Sequence, residues 1–185
     1  MSGIRRAVFL DRDGVLNRVQ TRDGVPYPPA SVSEFEILPD ALPELKRLRG
    51  SGFLLFVVTN QPDVRRGTQS LPVIEEMHRI LRAELPIDDF FVCYHDDAEA
   101  CDCRKPSPGG LLEAAERHQL DLSNSFMVGD RWRDVEAGQR AGCTPFFIDY
   151  GYAERQPVPP FERVSSLAEA AERIMMVNSR RADAQ

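Results

Sequence analysis

A chain of 185 residues with 42% hydrophobic and 28% charged residues has the composition of one ordinary globular domain, with enough apolar material for a packed core. It contains no apolar run of membrane-spanning length, and its net charge of −6 argues against a general nucleic-acid binder, which presents a basic face. Met1 to Arg6 lead straight into a strand-like run instead of a signal-peptide core, so the expectation is a cytoplasmic monomer with neither membrane nor nucleic acid as partner.

The first strand-like run, Ala7-Val8-Phe9-Leu10, is stopped abruptly by Asp11-Arg12-Asp13-Gly14. Two carboxylates one residue apart at a strand exit suit an ordinary turn. If strand geometry persists, they equally suit a shared hard cation such as Mg²⁺, with one acting as nucleophile and the other handling protons. From Asn17 to Pro39 the chain is rich in Gly and Pro and reads as a loop or hairpin folded over this pair. Asp40 is a candidate N-cap for a helix with Leu42, Leu45 and Leu48 on one face, closed by Gly50 and Gly52.

Phe53 to Val58 is a buried strand that ends at Thr59-Asn60-Gln61-Pro62. A helix begins near Ser70-Leu71-Pro72 and carries Ile74, Met77, Leu81 and Leu85 inward. Phe90-Phe91-Val92 is a short strand running into Cys93, His95, Cys101 and Cys103. Three thiols and an imidazole so closely spaced form a tetrahedral Cys₃His set, the pattern of structural Zn²⁺. Such a site would stabilise a loop with little apolar material and position Arg104 and Lys105.

Ser107-Pro108 reads as the cap and first position of a helix through about His118, and Phe126-Met127-Val128 as a strand ending at Gly129-Asp130. A helix over 132–141, a strand at 146–148, a Pro-rich connection and a helix opened by Ser166-Leu167-Ala168-Glu169 complete the pattern. The domain is expected to span 1–177, with 178–185 a disordered tail. Alternating strands and helices predict an α/β fold with a doubly wound parallel sheet.

In such a sheet the strand exits share one edge, so Asp11 with Asp13, Thr59 with Asn60, Arg104 with Lys105, and Asp130 with Asp134 converge there. Those groups are what phosphoryl transfer through an aspartyl-phosphate needs. The motifs Asp11-Arg12-Asp13-Gly14-Val15-Leu16-Asn17, Thr59-Asn60-Gln61, Lys105-Pro106 and Gly129-Asp130-Arg131 with Asp134 resemble, in order, those of the haloacid dehalogenase superfamily. The resemblance implies a Rossmann-like core and a Mg²⁺-dependent phosphomonoesterase acting on a small phosphorylated metabolite. It implies Asp11 as nucleophile, Asp13 as acid and base, and Thr59 and Lys105 on the phosphoryl oxygens. Mg²⁺ would be held by Asp11, Asp130 and the Asp13 carbonyl. Asp134 would support a metal-bound water or favour the first turn of its helix.

The cysteine loop and the absence of a segment long enough for a large cap resemble one group of that superfamily. The group holds D-glycero-D-manno-heptose 1,7-bisphosphate phosphatases, which remove the C7 phosphate, and histidinol phosphatases. By that likeness Arg104, Arg131, Asn60 and Gln61 contact substrate. Arg65-Arg66-Gly67 and Lys105-Pro106-Ser107-Pro108-Gly109 favour the heptose enzymes, and the short His95–Cys101 spacer favours the histidinol form. A non-catalytic zinc-stabilised binding module and a polynucleotide 3′-phosphatase are the weaker alternatives. His78 and His118 are expected at the surface or its boundary, Cys143 in the core, and Arg65 and Arg66 as either substrate guides or solvated charges.

Overall fold

In β1 (Arg6–Leu10) successive side chains point to opposite faces, and since Ala7 through Leu10 are all apolar, both faces must be covered. The computed structural model, which describes residues 5–183, meets this demand with β1 inside a six-stranded parallel sheet. In spatial order the strands are β5 (Asp89–Cys93), β4 (Phe53–Asn60), β1, β6 (Phe126–Gly129), β7 (Thr144–Ile148) and β8 (Glu162–Val164). Val8 and Leu10 of β1, Phe53, Leu55 and Val57 of β4, and Phe126 and Val128 of β6 all enter one core. Ala7, Phe9, Phe56, Val58 and Met127, the intervening residues, enter a second core on the opposite face.

The first core is closed by Leu45 and Leu48 of α1 (Ala41–Gly50), Leu81 of α3 (Leu71–Glu84) and Ile174 of α6 (Leu167–Asp183). The second is closed by Leu111 and Ala114 of α4 (Gly109–His118) and by Ala137 and Ala141 of α5 (Trp132–Ala141). Between β4 and α3 lies a single turn, α2 (Asp63–Arg66). This is the doubly wound sheet expected from the alternating pattern, and Cys143 lies in its core as anticipated.

Several local features differ from the sequence expectations. A sixth strand, β8, follows the Pro-rich connection; its three residues are too few to show a period, and it forms by pairing with β7 at Phe146–Ile148. α4 begins at Gly109, so Pro108 and not Ser107 stands at the cap position. Asp40 precedes α1 without its side chain capping any N–H. Ser166 Oγ accepts from Glu169 N–H at 3.1 Å, but the Glu169 carboxylate reaches back to Ser165 N–H at 2.8 Å, one residue earlier than a capping box requires. α6 continues to Asp183 where a tail was expected from Asn178; Ala184 and Gln185 lie outside the described residues.

The Gly/Pro-rich stretch contains a hairpin, β2 (Gln20–Arg22) and β3 (Val25–Tyr27), paired antiparallel. Its two-residue turn, Asp23-Gly24, has φ of 51° and 76°, the left-handed pair that a twisted hairpin favours. Hydrogen bonds tie it and its flanking segments to the rest of the chain. Ala153 N–H donates to the Gly24 carbonyl at 2.8 Å, Leu38 N–H to Leu16 at 2.9 Å, and the Gln69 amide to the Ala30 carbonyl at 2.9 Å.

Candidate active site and metal centre

Because β1, β4 and β6 are parallel, their exits bring Asp11, Thr59 and Asp130 to one edge of the sheet. Asp11 N–H still donates to the Val128 carbonyl at 2.9 Å, so the ladder extends one residue past β1 and holds the Asp11 backbone rigidly. Lys105, buried at the same edge, uses all three N–H donors: Asp11 Oδ1 at 2.8 Å, Asp134 Oδ1 at 2.6 Å and the Val58 carbonyl at 2.7 Å. The Asn60 side chain clamps the backbone of Lys105, donating to its carbonyl at 3.0 Å and accepting from its N–H at 3.1 Å. Asn60 therefore acts on the loop that delivers the ammonium, although its residue also lines the cavity described below.

Asp11, Asp130 and Asp134 bring one carboxylate oxygen each within 4.8 Å of one another. Asp130 is buried, and its Oδ1 has no hydrogen-bond partner. Three carboxylates facing one ammonium leave negative charge in excess. Burial, resisted by Lys105 and reinforced by Asp134 and Asp13, raises the Asp11 carboxyl to about 6. Burial and the Asp11 charge raise Asp130 well above the carboxylate range. Burial works against the Lys105 charge, but Asp11 and Asp134 more than offset it and hold the ammonium above its ordinary value. Such a set, with one of its buried carboxylate oxygens unpartnered, fits a hard cation that takes oxygen ligands. Gly14, at φ +86°, is required beside it, since a Cβ there would stand 2.0 Å from Asp130 Oδ2. Asp134 also accepts from Arg131 N–H at 2.9 Å, so it does cap the first turn of α5 while gripping Lys105.

Asp13 faces a different set of partners, which corrects the expectation that both carboxylates share one cation through their side chains. Its oxygens accept from Arg12 at 2.9 and 3.0 Å, from Asn17 at 3.0 Å and from Gln61 at 2.8 Å. Burial pushes its pKa up, but the Arg12 charge and these bonds win and hold it below the usual range. Gln61 also donates to Thr59 Oγ1 at 2.9 Å, linking the acid to the hydroxyl. Arg12 is wholly buried, and it also donates to Gln61 Oε1 at 3.1 Å and meets His78 Nε2 at 3.2 Å.

His78 is thus 7% exposed and not at the surface, because α3 turns it toward Arg12. Neither residue was assigned a role from sequence. Burial first, and then Arg12, push the His78 imidazole from 6.5 down to about 4. The unfolded chain therefore takes up a proton before the folded one. Stability is complete above pH 6.5 and falls as the pH is lowered toward 4, by up to on the order of 3 kcal/mol. His78→Gln keeps an acceptor for Arg12 without titrating, and its thermal midpoint should decline less steeply than wild type across that window. Parallel pH profiles would exclude this coupling.

The four residues of the cysteine loop come together as expected. Cys93 Sγ lies 3.8 Å from Cys101 Sγ, and Cys103 Sγ 3.7 Å from Cys101 Sγ; His95 Nδ1 is 3.5 Å from Cys93 and 3.4 Å from Cys103. These separations are too long for disulfides. They match the edges of a tetrahedron with zinc–sulfur bonds of about 2.3 Å and a zinc–nitrogen bond of about 2.0 Å. The loop is joined to α4 where Gly109 N–H donates to the Asp102 carbonyl at 2.8 Å; a Cβ at Gly109 would stand 2.2 Å from that oxygen.

The carboxylates and Lys105 border one cavity of about 360 Å³, whose lining includes Asp11, Asp13, Thr59, Lys105 and Asp130. The same lining includes Arg66, Arg104, Arg131 and Arg133, and the hairpin contributes Pro26 and Tyr27. Arg131 is ion-paired to Glu154, and Arg104 donates to Asp97 at 2.8 Å and to the His95 carbonyl at 3.2 Å. Arg65 lies outside this lining and pairs with Glu99 at 3.0 Å.

A model of haloacid dehalogenase-like hydrolases matches residues 30–142. The chain is also 33% identical over 179 residues, 90% of its length and 97% of the relative's, to D-glycero-beta-D-manno-heptose-1,7-bisphosphate 7-phosphatase of Pseudomonas aeruginosa. The chain belongs to the haloacid dehalogenase-like hydrolases. Within that family it is 32% identical over 165 residues to the D-glycero-alpha-D-manno-heptose-1,7-bisphosphate 7-phosphatase of Photorhabdus laumondii, covering 82% of this chain and 87% of the relative. A crystal structure of D,D-heptose 1,7-bisphosphate phosphatase from B. bronchiseptica, complexed with magnesium and phosphate, superposes with a TM-score of 0.79. It is 30% identical and covers 92% of this chain and 98% of its own. The chain is thus a phosphatase with the hydrolase family's sheet. Among the described residues no helix is long and apolar enough to cross a membrane.

Proposed function

We propose that this phosphatase hydrolyses D-glycero-D-manno-heptose 1,7-bisphosphate at C7 through a phosphoaspartyl enzyme. The observation that carries this is one cavity whose lining joins the carboxylate-and-lysine set to Arg66, Arg104, Arg131 and Arg133. Phosphoryl chemistry suits the first, and the four guanidinium groups suit a second phosphate. The same arginines disfavour histidinol phosphate, whose amine is cationic at neutral pH.

Asp11 attacks phosphorus as the bond to the sugar oxygen breaks, and Asp13 gives that oxygen its proton. Asp13 then takes a proton from the water that attacks the phosphoaspartate, releasing phosphate and restoring Asp11. Arg12, Gln61 and Asn17 hold Asp13 ionised in the free enzyme. The negative phosphate arriving beside it raises its proton affinity, as the first step requires. The Thr59 hydroxyl donates to a phosphoryl oxygen while Lys105 neutralises developing charge. Mg²⁺ bound by Asp11, Asp130 and the Asp13 carbonyl would neutralise the phosphoryl oxygens. Asp134 serves by holding Lys105.

Zn²⁺ held by Cys93, His95, Cys101 and Cys103 would be structural, keeping Arg104 and Lys105 in register. Cys101→Ser should lower zinc content and thermal midpoint together, the latter by roughly 5–10 °C. Full zinc occupancy in that variant would remove Cys101 from the ligand set.

The deciding assay is phosphate release, with Mg²⁺ and with EDTA, from both anomers of heptose 1,7-bisphosphate and from histidinol phosphate. Mg²⁺-dependent turnover of one heptose anomer is expected. Faster turnover of histidinol phosphate would overturn the substrate assignment.

A further inference from the structure

Three of the cavity's arginines are not free to meet a substrate, because they already surround an anion of the chain's own. Asp97 Oδ1 accepts from Arg104 at 2.8 and 3.0 Å and from Arg133 at 3.0 Å, while its Oδ2 accepts from Arg66 at 2.9 Å. Arg66 has further carboxylates in Asp63 and Asp96, but among the described residues Asp97 is the only ion-pair partner of Arg104 and of Arg133. These guanidinium groups come from three separate parts of the chain, α2, the cysteine loop and α5. Mutual repulsion would spread them if no anion sat among them.

Asp97 is the most exposed member of this cluster. Its side chain is 53% exposed, against 10% for Arg104, and it stands on the loop after His95. Ion pairs this exposed are individually weak. A phosphate dianion, with more charge and three acceptor oxygens, suits guanidinium forks better than one carboxylate does. We propose that Asp97 is a displaceable internal counter-anion occupying the seat of the substrate's second phosphate. It tempers the preference for a bisphosphate, because only a distal group that outcompetes a carboxylate can take the seat. This rests on the sugar-bisphosphatase assignment above and adds to it a residue that assignment does not use. A sugar with one phosphate, bound at the Asp11 end, leaves Asp97 in place; a bisphosphate must move it.

The alternative is that Asp97 is a strut that merely arranges the arginines, and the two roles predict opposite signs. Calorimetry in an Asp11→Asn background with Mg²⁺ present, where turnover is blocked, gives Kd for heptose 1,7-bisphosphate and for heptose 7-phosphate. Asp97→Asn should strengthen the preference for the bisphosphate by roughly three- to tenfold, since each exposed pair it removes is a modest competitor. Asp97→Glu, which keeps the charge, should stay near the parent ratio. A preference that is unchanged or weaker in Asp97→Asn overturns the proposal. Turnover of the bisphosphate by the chain with Asp11 intact is measured separately, so its failure would count against the substrate assignment and not against the seat.

Discussion

Asp11→Asn lowers kcat for phosphate release by at least about 10⁴-fold, because an amide cannot form the phosphoaspartate and no neighbour can replace it. Asp13, the nearest alternative in sequence, is turned toward Arg12, Asn17 and Gln61 and already serves as the acid and base. The same substitution should raise the thermal midpoint of the metal-free protein. The folded pKa of Asp11, about 6, lies above its ordinary 3.8, so the fold penalises its charge. That penalty is complete above pH 6 and is relieved as the pH falls toward 3.8. The variant's advantage in EDTA should therefore be present at pH 8 and fade by pH 4. Retained turnover would end the nucleophile assignment, and a lower midpoint at pH 8 would show that the Lys105 bond outweighs the carboxylate crowding.

Lys105→Met should damage both stability and rate. Its ammonium is the only cation bonded to Asp11 and Asp134 among the described residues, and it is nearly fully buried. Removing one partner of a buried charged set costs on the order of 3–5 kcal/mol, since the remaining carboxylates lose compensation and the Val58 carbonyl loses a donor. For a chain of this length the metal-free midpoint should fall by roughly 10 °C. The fall should be smaller with saturating Mg²⁺, which supplies positive charge to the same carboxylates. Rate should drop by about 10²-fold or more, as when a donor to developing charge is removed elsewhere. Equal midpoints for variant and wild type in EDTA would rule out this picture of the carboxylate set.

What the sequence revealed, it revealed through short-range pattern. Strand exits are visible because an apolar run stops at a polar residue, as at Leu10-Asp11, Val58-Thr59 and Gly129-Asp130, and a parallel sheet puts such exits together. The cysteine loop is visible because its three thiols and one imidazole lie within eleven residues. Arg12 and His78 were missed for the opposite reason. They are 66 residues apart, and nothing local tells that α3 turns His78 onto the arginine behind Asp13. An arginine between the two aspartates at the exit of β1 was the available signal, since a buried charge there needs partners. Asn60 was legible as a site residue, but its two bonds to the Lys105 backbone were not, since they join residues 45 apart. Asp97 is one of several acidic residues on its loop, and only the folded chain sets it among three guanidinium groups.

The hairpin over the site has a kinetic meaning. Enzymes that cover their substrates with a moving cap often spend much of each turnover opening and closing it. Here β2 and β3 are short and tied to the body of the chain through Gly24 and the segments on either side, so they form a fixed rim. A fixed rim leaves no closure step to limit the cycle. Admission is then governed by shape and charge at the mouth, and added viscogen should slow turnover only as far as product diffusion itself is limiting.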